Sequence, residues 1–208
     1  MRKYIWVLLL LAACRKHHDN TPSGTGTIVR VQPRLTDTLL GASALDSIAA
    51  LCQANGVSMV NQQFFMFYQD SPLLVAIAHI YLNGLPVAVA QTNLYFKAGV
   101  LQRPASYTDT NLVAADNDTS GHQSLAQLRA DFLAAPLVKN GYTNPDVHYA
   151  DSNLTANLAY VPSVFFLGPP SSGYPLTKAW VIHGFYQYPY IWVRDADGQI
   201  GYTDAAID

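Results

Sequence analysis

Apolar residues along the chain recur with two different periods, and the change from one to the other marks out its elements. In SALDSIAALCQANG, Leu45, Ile48, Ala49 and Cys52 stand at i, i+3, i+4 and i+7, the spacing of a single helix face. Ser43 with Asp46 three residues on resembles a capping box, and Asn55-Gly56 supplies a left-handed stop, so a helix is predicted over about 43–55. Beyond it the period falls to two. Extended segments are predicted over about 58–69, 73–82 and 85–97, with Asn83-Gly84 as a two-residue hairpin turn. Val75, Ile77, His79 and Tyr81 alternate with Ala76, Ala78 and Ile80, so both faces are largely apolar, as in a sheet packed on one side and sheltered on the other.

The same order then returns. Ser124 with Gln127 forms a second capping box, and Leu125, Leu128 and Phe132 share the face of a helix that Pro136 helps to end. Strands follow near 156–167, 176–184, 187–194 and 199–203, with the loop GPPSSGYP between the first two. The repeat is one of architecture, since the halves share little residue identity.

Ahead of both halves stands a segment of another kind. Arg2 and Lys3 precede an apolar run to Ala13, too short to span a bilayer, and the run ends LLLLAAC at Cys14. This is the pattern of an export signal over residues 1–13, and Leu-Ala-Ala-Cys resembles the lipobox of bacterial lipoproteins, in which the cysteine is lipidated and becomes the new N-terminus. Residues 14–27 are polar and rich in Gly, Ser, Thr and Pro, a flexible tether in which His17 and His18 have no further ligand at metal-site spacing.

Composition acts mainly by exclusion. The chain holds 12 basic and 14 acidic residues, and loss of Arg2 and Lys3 with the leader makes the balance more acidic, which argues against a nucleic-acid groove. Only 12% of residues are charged, while 13 tyrosines and 12 prolines are scattered throughout, a β-rich exported composition. Cys52 lies on the buried helix stripe, with no base to activate it and no disulfide partner once Cys14 is lipidated.

Four places offer candidate chemistry. Asp195 and Asp197 in RDADGQ, between two strand-like runs, read as a hairpin loop, because an EF-type calcium loop counted from Asp195 would carry Gln199 and Ala206 at ligand positions. Residues 116–127 imitate such a loop better, through Asp116, Asp118, Ser120, Gly121 and Ser124. Gln127 stands there in place of the bidentate glutamate, so the stretch reads as a polar loop and helix cap. His183 has no nucleophile or orienting carboxylate at recognisable spacing and reads as a strand residue. Tyr186, Tyr188, Tyr190 and Trp192 are the candidate partner-binding residues, with Tyr188, Tyr190 and Trp192 on one strand face, as core or as an exposed aromatic strip.

Several short stretches resemble the PepSY domain and the propeptide of fungalysin and thermolysin-type metallopeptidases. They are Gly84-Leu85-Pro86-Val87, Tyr95-Phe96 and Gly99 in the first half, and Ala179-Trp180 followed by Val193, Asp195, Ala196 and Gly198 in the second. Arg194 interrupts the last of these, and no His-Glu-x-x-His motif occurs in the chain. The resemblance implies an α+β fold of two cystatin-like lobes, 28–116 and 117–208, each a helix packed on an antiparallel sheet. It implies inhibitors, folding assistants or regulatory modules of peptidases. The expectation is therefore a non-enzymatic lipoprotein without cofactor or metal, held by lipid on Cys14 to the bacterial cell envelope and facing periplasm or exterior. Its expected partner is an exported peptidase or another extracytoplasmic protein. The alternative is a small-ligand or glycan-binding lipoprotein using surface tyrosines.

Overall fold

The computed structural model describes residues 26–102, 105–106, 118–139, 142–148, 153–167, 176–184 and 190–204. The signal segment, Cys14, His17, His18, Asp116, Tyr186 and Tyr188 lie outside them.

The fold mixes helices with a large, mostly antiparallel sheet. In chain order the elements are β1 (Ile28–Arg30), α1 (Ala42–Ala54), β2 (Gln62–Asp70), β3 (Leu73–Leu82), β4 (Leu85–Lys97), β5 (Val100–Leu101) and β6 (Ala105–Ser106). There follow α2 (Leu125–Ala134), β7 (Pro136–Lys139), β8 (Tyr142–His148), β9 (Leu154–Pro162), α3 (Val164–Leu167), β10 (Leu176–His183), β11 (Tyr190–Arg194) and β12 (Ile200–Asp204). The sheet runs β12-β11-β10-β9-β4-β3-β2; β1 joins it on β9, β5 and β6 on β4, while β7 and β8 pair separately.

Local chemistry accounts for most boundaries. Asn83 and Gly84 both take positive φ (50° and 84°), the requirement of a tight hairpin turn matched to strand twist. Ser124 caps α2 by accepting from the Gln127 amide, but the Gln127 side chain reaches forward to Asp131, so the box is half formed. The expected cap of α1 is corrected: Gly41 is the N-cap without a side-chain bond, and Ser43 lies inside the helix, its carbonyl accepting from Ser47. The far end of α1 is held by Asn55, whose side chain donates to the Leu51 and Gly99 carbonyls and accepts from the Leu101 amide. The strand expected over 156–167 stops at Pro162, and Val164–Leu167 is a helical turn.

Two apolar cores lie on the helix side of the sheet. Ile48 and Cys52 of α1 pack on Phe64, Ala76, Ala78, Leu94 and Phe96, with Leu45 and Leu51 at the margin. Ala49, expected on that stripe, is exposed, because Leu51 takes the place beside Cys52. Burial raises the Cys52 pKa and keeps it a thiol. Leu128 and Phe132 of α2 pack on Leu154, Leu158, Trp180, Ile182, Ile191 and Val193.

The halves meet along β4. Its register on β3 breaks between Pro86, opposite Tyr81, and Gln91, opposite His79, and within this excursion Val87 pairs in parallel with Tyr160 of β9. The same edge of β9 carries β1, in parallel register from Ile28↔Leu154 to Arg30↔Ala156. Gln32 fills the interval between these two pairings. Its side-chain nitrogen donates to the Leu158 carbonyl at 3.0 Å and its oxygen accepts the Leu158 amide at 3.2 Å, so a carboxamide stands in for a peptide unit of the ladder.

Candidate functional site

On the sheet face opposite α1 and α2, a cleft of about 480 Å³ lies at this seam. Strand alternation decides its lining. Along β10 and β11, Trp180, Ile182, Ile191 and Val193 go to the α2 core, so Val181, His183, Tyr190 and Trp192 face the cleft. Asn157 of β9 joins them, and His79 and Tyr81 of β3 come from the first half. Pro33, Asp37 and Leu39, in the segment from β1 to α1, form a further wall.

That wall is held by one buried amide. Gln63 Nε2 donates to the Arg34 carbonyl at 2.6 Å and the Asp37 carbonyl at 2.8 Å, while its oxygen accepts the Tyr81 hydroxyl at 3.1 Å. All of the Gln63 donor and acceptor capacity used here is spent on positioning, which leaves chemistry in the cleft to other groups. Asp37 is engaged by Arg34, accepting its backbone amide at 2.9 Å and its Nε at 3.3 Å.

The two histidines of the cleft differ in their surroundings. His79 stacks on Phe65 with centroids 4.1 Å apart and planes 13° apart, and loss of hydration lowers its pKa, so the ring is uncharged at pH 7. His183 lies against its cross-strand neighbour: with the proton on Nδ1, that nitrogen donates to the Gly184 carbonyl at 2.9 Å and Nε2 accepts the Thr155 hydroxyl at 2.9 Å. The ring is used up in the sheet, and no carboxylate among the described residues orients it as a general base.

Two of the four aromatic candidates fall within the described residues, and both line the cleft. Trp192 is only 3% exposed, its ring packed with Val161, Phe166 and Ala179, while Tyr190 is half-buried with its ring centroid 6.2 Å from that of Trp192. Trp192 thus belongs to a core that backs the cleft, and Tyr190 to its surface.

Asp195 and Asp197 are separated by the structure. Asp197 is the turn residue: it pairs with Arg194 and accepts the Gln199 amide at 3.1 Å, beside Gly198 at φ 75°. Asp195 continues the inward alternation of Ile191 and Val193 and is fully buried. Its oxygens accept Trp180 Nε1 at 2.7 Å, the His122 amide at 2.8 Å and His122 Nδ1 at 2.7 Å, with Lys178 Nζ at 3.5 Å. Burial alone would raise its pKa, but the bonds from His122 and Trp180 and the Lys178 charge prevail and hold it low.

Lys178 also explains the calcium-like loop. Its ammonium donates to the carbonyls of Asp118 at 3.0 Å and Ser120 at 2.9 Å and lies 3.5 Å from Asp118 Oδ2. A protein cation therefore sits among the oxygens that a metal ion would seek, and Ser120 occupies Asp118 through its amide and hydroxyl. Among the described residues no cluster of three or more His, Cys, Asp or Glu could hold a metal ion.

Asn157, His79, Gln63, His122 and Lys178 were not singled out in the sequence. Lys178 had a local signal, a charge at the alternating inward position between Leu176 and Trp180. Gln63 and His122 depend on partners far away in the chain, and Asn157 and His79 on the seam that brings β9 and β3 to one cleft. Comparison with protein-family models and with curated proteins finds no match to this chain.

Proposed function

We propose that this is a non-catalytic exported lipoprotein, anchored through Cys14, that binds a polypeptide partner in the seam cleft and acts as a peptidase inhibitor or a folding or regulatory module. The observation that carries this reading is the cleft itself, a preformed concavity of about 480 Å³, within the usual range for binding sites, in which apolar residues such as Val87, Ala88 and Val181 alternate with neutral polar groups such as Gln63 and Asn157. Its histidines and amides are neutral or engaged, an arrangement suited to recognition and poor in groups for acid–base or nucleophilic work. What supports the resemblance to PepSY and propeptide domains is coarse: two long helices each cover part of a mostly antiparallel sheet, α1 over β2–β4 and α2 over β9–β11 with the start of β4. β2 ends the sheet with Met66 and Tyr68 exposed, a second surface beside the cleft that backbone pairing could use.

The test uses the chain from residue 14 with Cys14→Ser, incubated with exported metallopeptidases, following cleavage rates, recovery of refolded enzyme and co-elution. Slowed cleavage or assisted refolding with a stable complex is expected. Failure of all three, with a glycan or small ligand raising the melting temperature, replaces this reading with ligand capture. For the anchor, labelled palmitate should enter the wild type and Cys14→Ser should move the protein to the soluble fraction; an unlabelled wild type overturns it.

A further inference from the structure

Asn157 lies at the middle of β9, half-buried and facing the cleft, and its carboxamide makes no hydrogen bond among the described residues. Such a group carries two donors and an acceptor whose needs go unmet when a ligand displaces water, unless the ligand meets them. His79, at the same cleft, offers one donor and one acceptor from a neutral ring likewise without a hydrogen-bond partner. Among the described residues no lysine or arginine lines the cleft, and the one carboxylate among them, Asp37, is already engaged by Arg34. A phosphorylated, carboxylated or cationic ligand would find no free counter-charge there.

Resting on the polypeptide-binding reading above, we infer that the cleft recognises an uncharged residue of the partner chain, its peptide group paired to the Asn157 carboxamide and its apolar side chain set against Tyr190 and Val181. The pairing is one the protein already makes: the Gln32 carboxamide takes both the amide and the carbonyl of Leu158, the next residue of the same strand. A saccharide would have to stack on Tyr190 alone, since Trp192 at 3% exposure offers almost no ring face, and the titration below tests it directly.

The experiment is a titration with N-acetyl-phenylalanine N-methylamide, one apolar side chain between two peptide groups, followed by NMR on the side-chain resonances of Asn157 and Trp192. Saturable shifts are expected, with affinity lowered about tenfold or more in Asn157→Leu, the loss that goes with an unpaired peptide group in an apolar site. Leucine at 157 disturbs no side-chain hydrogen bond among the described residues, and an unchanged melting temperature would confirm that the variant is intact. No saturation in the wild type, or equal affinity in Asn157→Leu, overturns the inference, as does saturation by maltotriose in place of the blocked amino acid. Saturation by the blocked amino acid in a chain that neither inhibits, refolds nor retains any peptidase upholds the site chemistry and overturns the regulatory role.

Discussion

Asp195 and Asp197 stand two positions apart in one loop and are governed by different physics. Asp195 is buried with Trp180, His122 and Lys178 directed at it, and an amide in its place removes the charge facing Lys178 and sets an N–H donor where Oδ2 now meets His122 Nδ1 and the ammonium. Asp195→Asn is expected to cost about 3 kcal/mol or more, the usual penalty for removing one partner of a buried charge network. Asp197→Asn should leave the urea midpoint nearly unchanged, since the Asp197 carboxylate is half exposed where it meets Arg194. Unfolding curves of the two variants check both statements. Of the lowered carboxylates buried Asp195 sets the acid limit, and the exposed Asp118 and Asp197 add little to it. Hydrogen bonds from Ser120 hold Asp118 down to about 2, and Arg194 does the same for Asp197, while Asp195 is also lowered. Groups with a depressed folded pKa bind protons more readily once unfolded, so their stabilisation is complete above the unfolded value of about 4 and is lost as pH falls toward 2. The melting temperature should therefore be insensitive to these groups at neutral pH and drop between about pH 4 and 2, less steeply in Asp195→Asn.

Loops and strands show which elements a local pattern can reveal. Gly198 sits at φ 75° with room around it, so Gly198→Val should cost about 1 kcal/mol or more through backbone strain. Gly121 has another reason to be glycine: a Cβ there would lie 2.2 Å from Trp180 Cζ2, and Gly121→Ala should cost about 1–3 kcal/mol through overpacking. Thermal melts of both measure this. The first requirement is legible in Asp-Ala-Asp-Gly, because a turn carries its own signature. The second is invisible in SGHQ, because the ring that forbids a side chain is 59 residues away. Likewise β3 and β4 were read to the residue from Asn83-Gly84 and alternation. β1 was missed, since three residues paired in parallel with β9 across the length of the chain leave no local period. β7 and β8 were missed for a different reason: a strand that opens on Pro136 and a partner containing Pro145 read as loop.

Two capped helices, each followed by hairpins, read naturally as two independent lobes, yet the core under α2 draws on both halves. Leu85, Val87 and Ala90 of β4 are buried in the α2 core, with Ile80 and Leu82 of β3 packed against it. β1 is bonded to β9, and Gln32 closes the ladder on Leu158. A boundary at 116/117 would leave Leu85 and Val87 uncovered on one side and the β9 edge unpaired on the other, so neither half is expected to hold its structure alone. The whole chain should unfold in one transition, with calorimetric and van't Hoff enthalpies equal. Gln32→Ala leaves the Leu158 amide and carbonyl without this partner and should cost about 1–3 kcal/mol. Because the ladder belongs to both halves, that loss should move the entire transition to lower temperature instead of splitting it. Two resolved transitions in the wild type, or a folded 28–116 fragment, would show that the lobes are separate and that the cleft between them is a hinge.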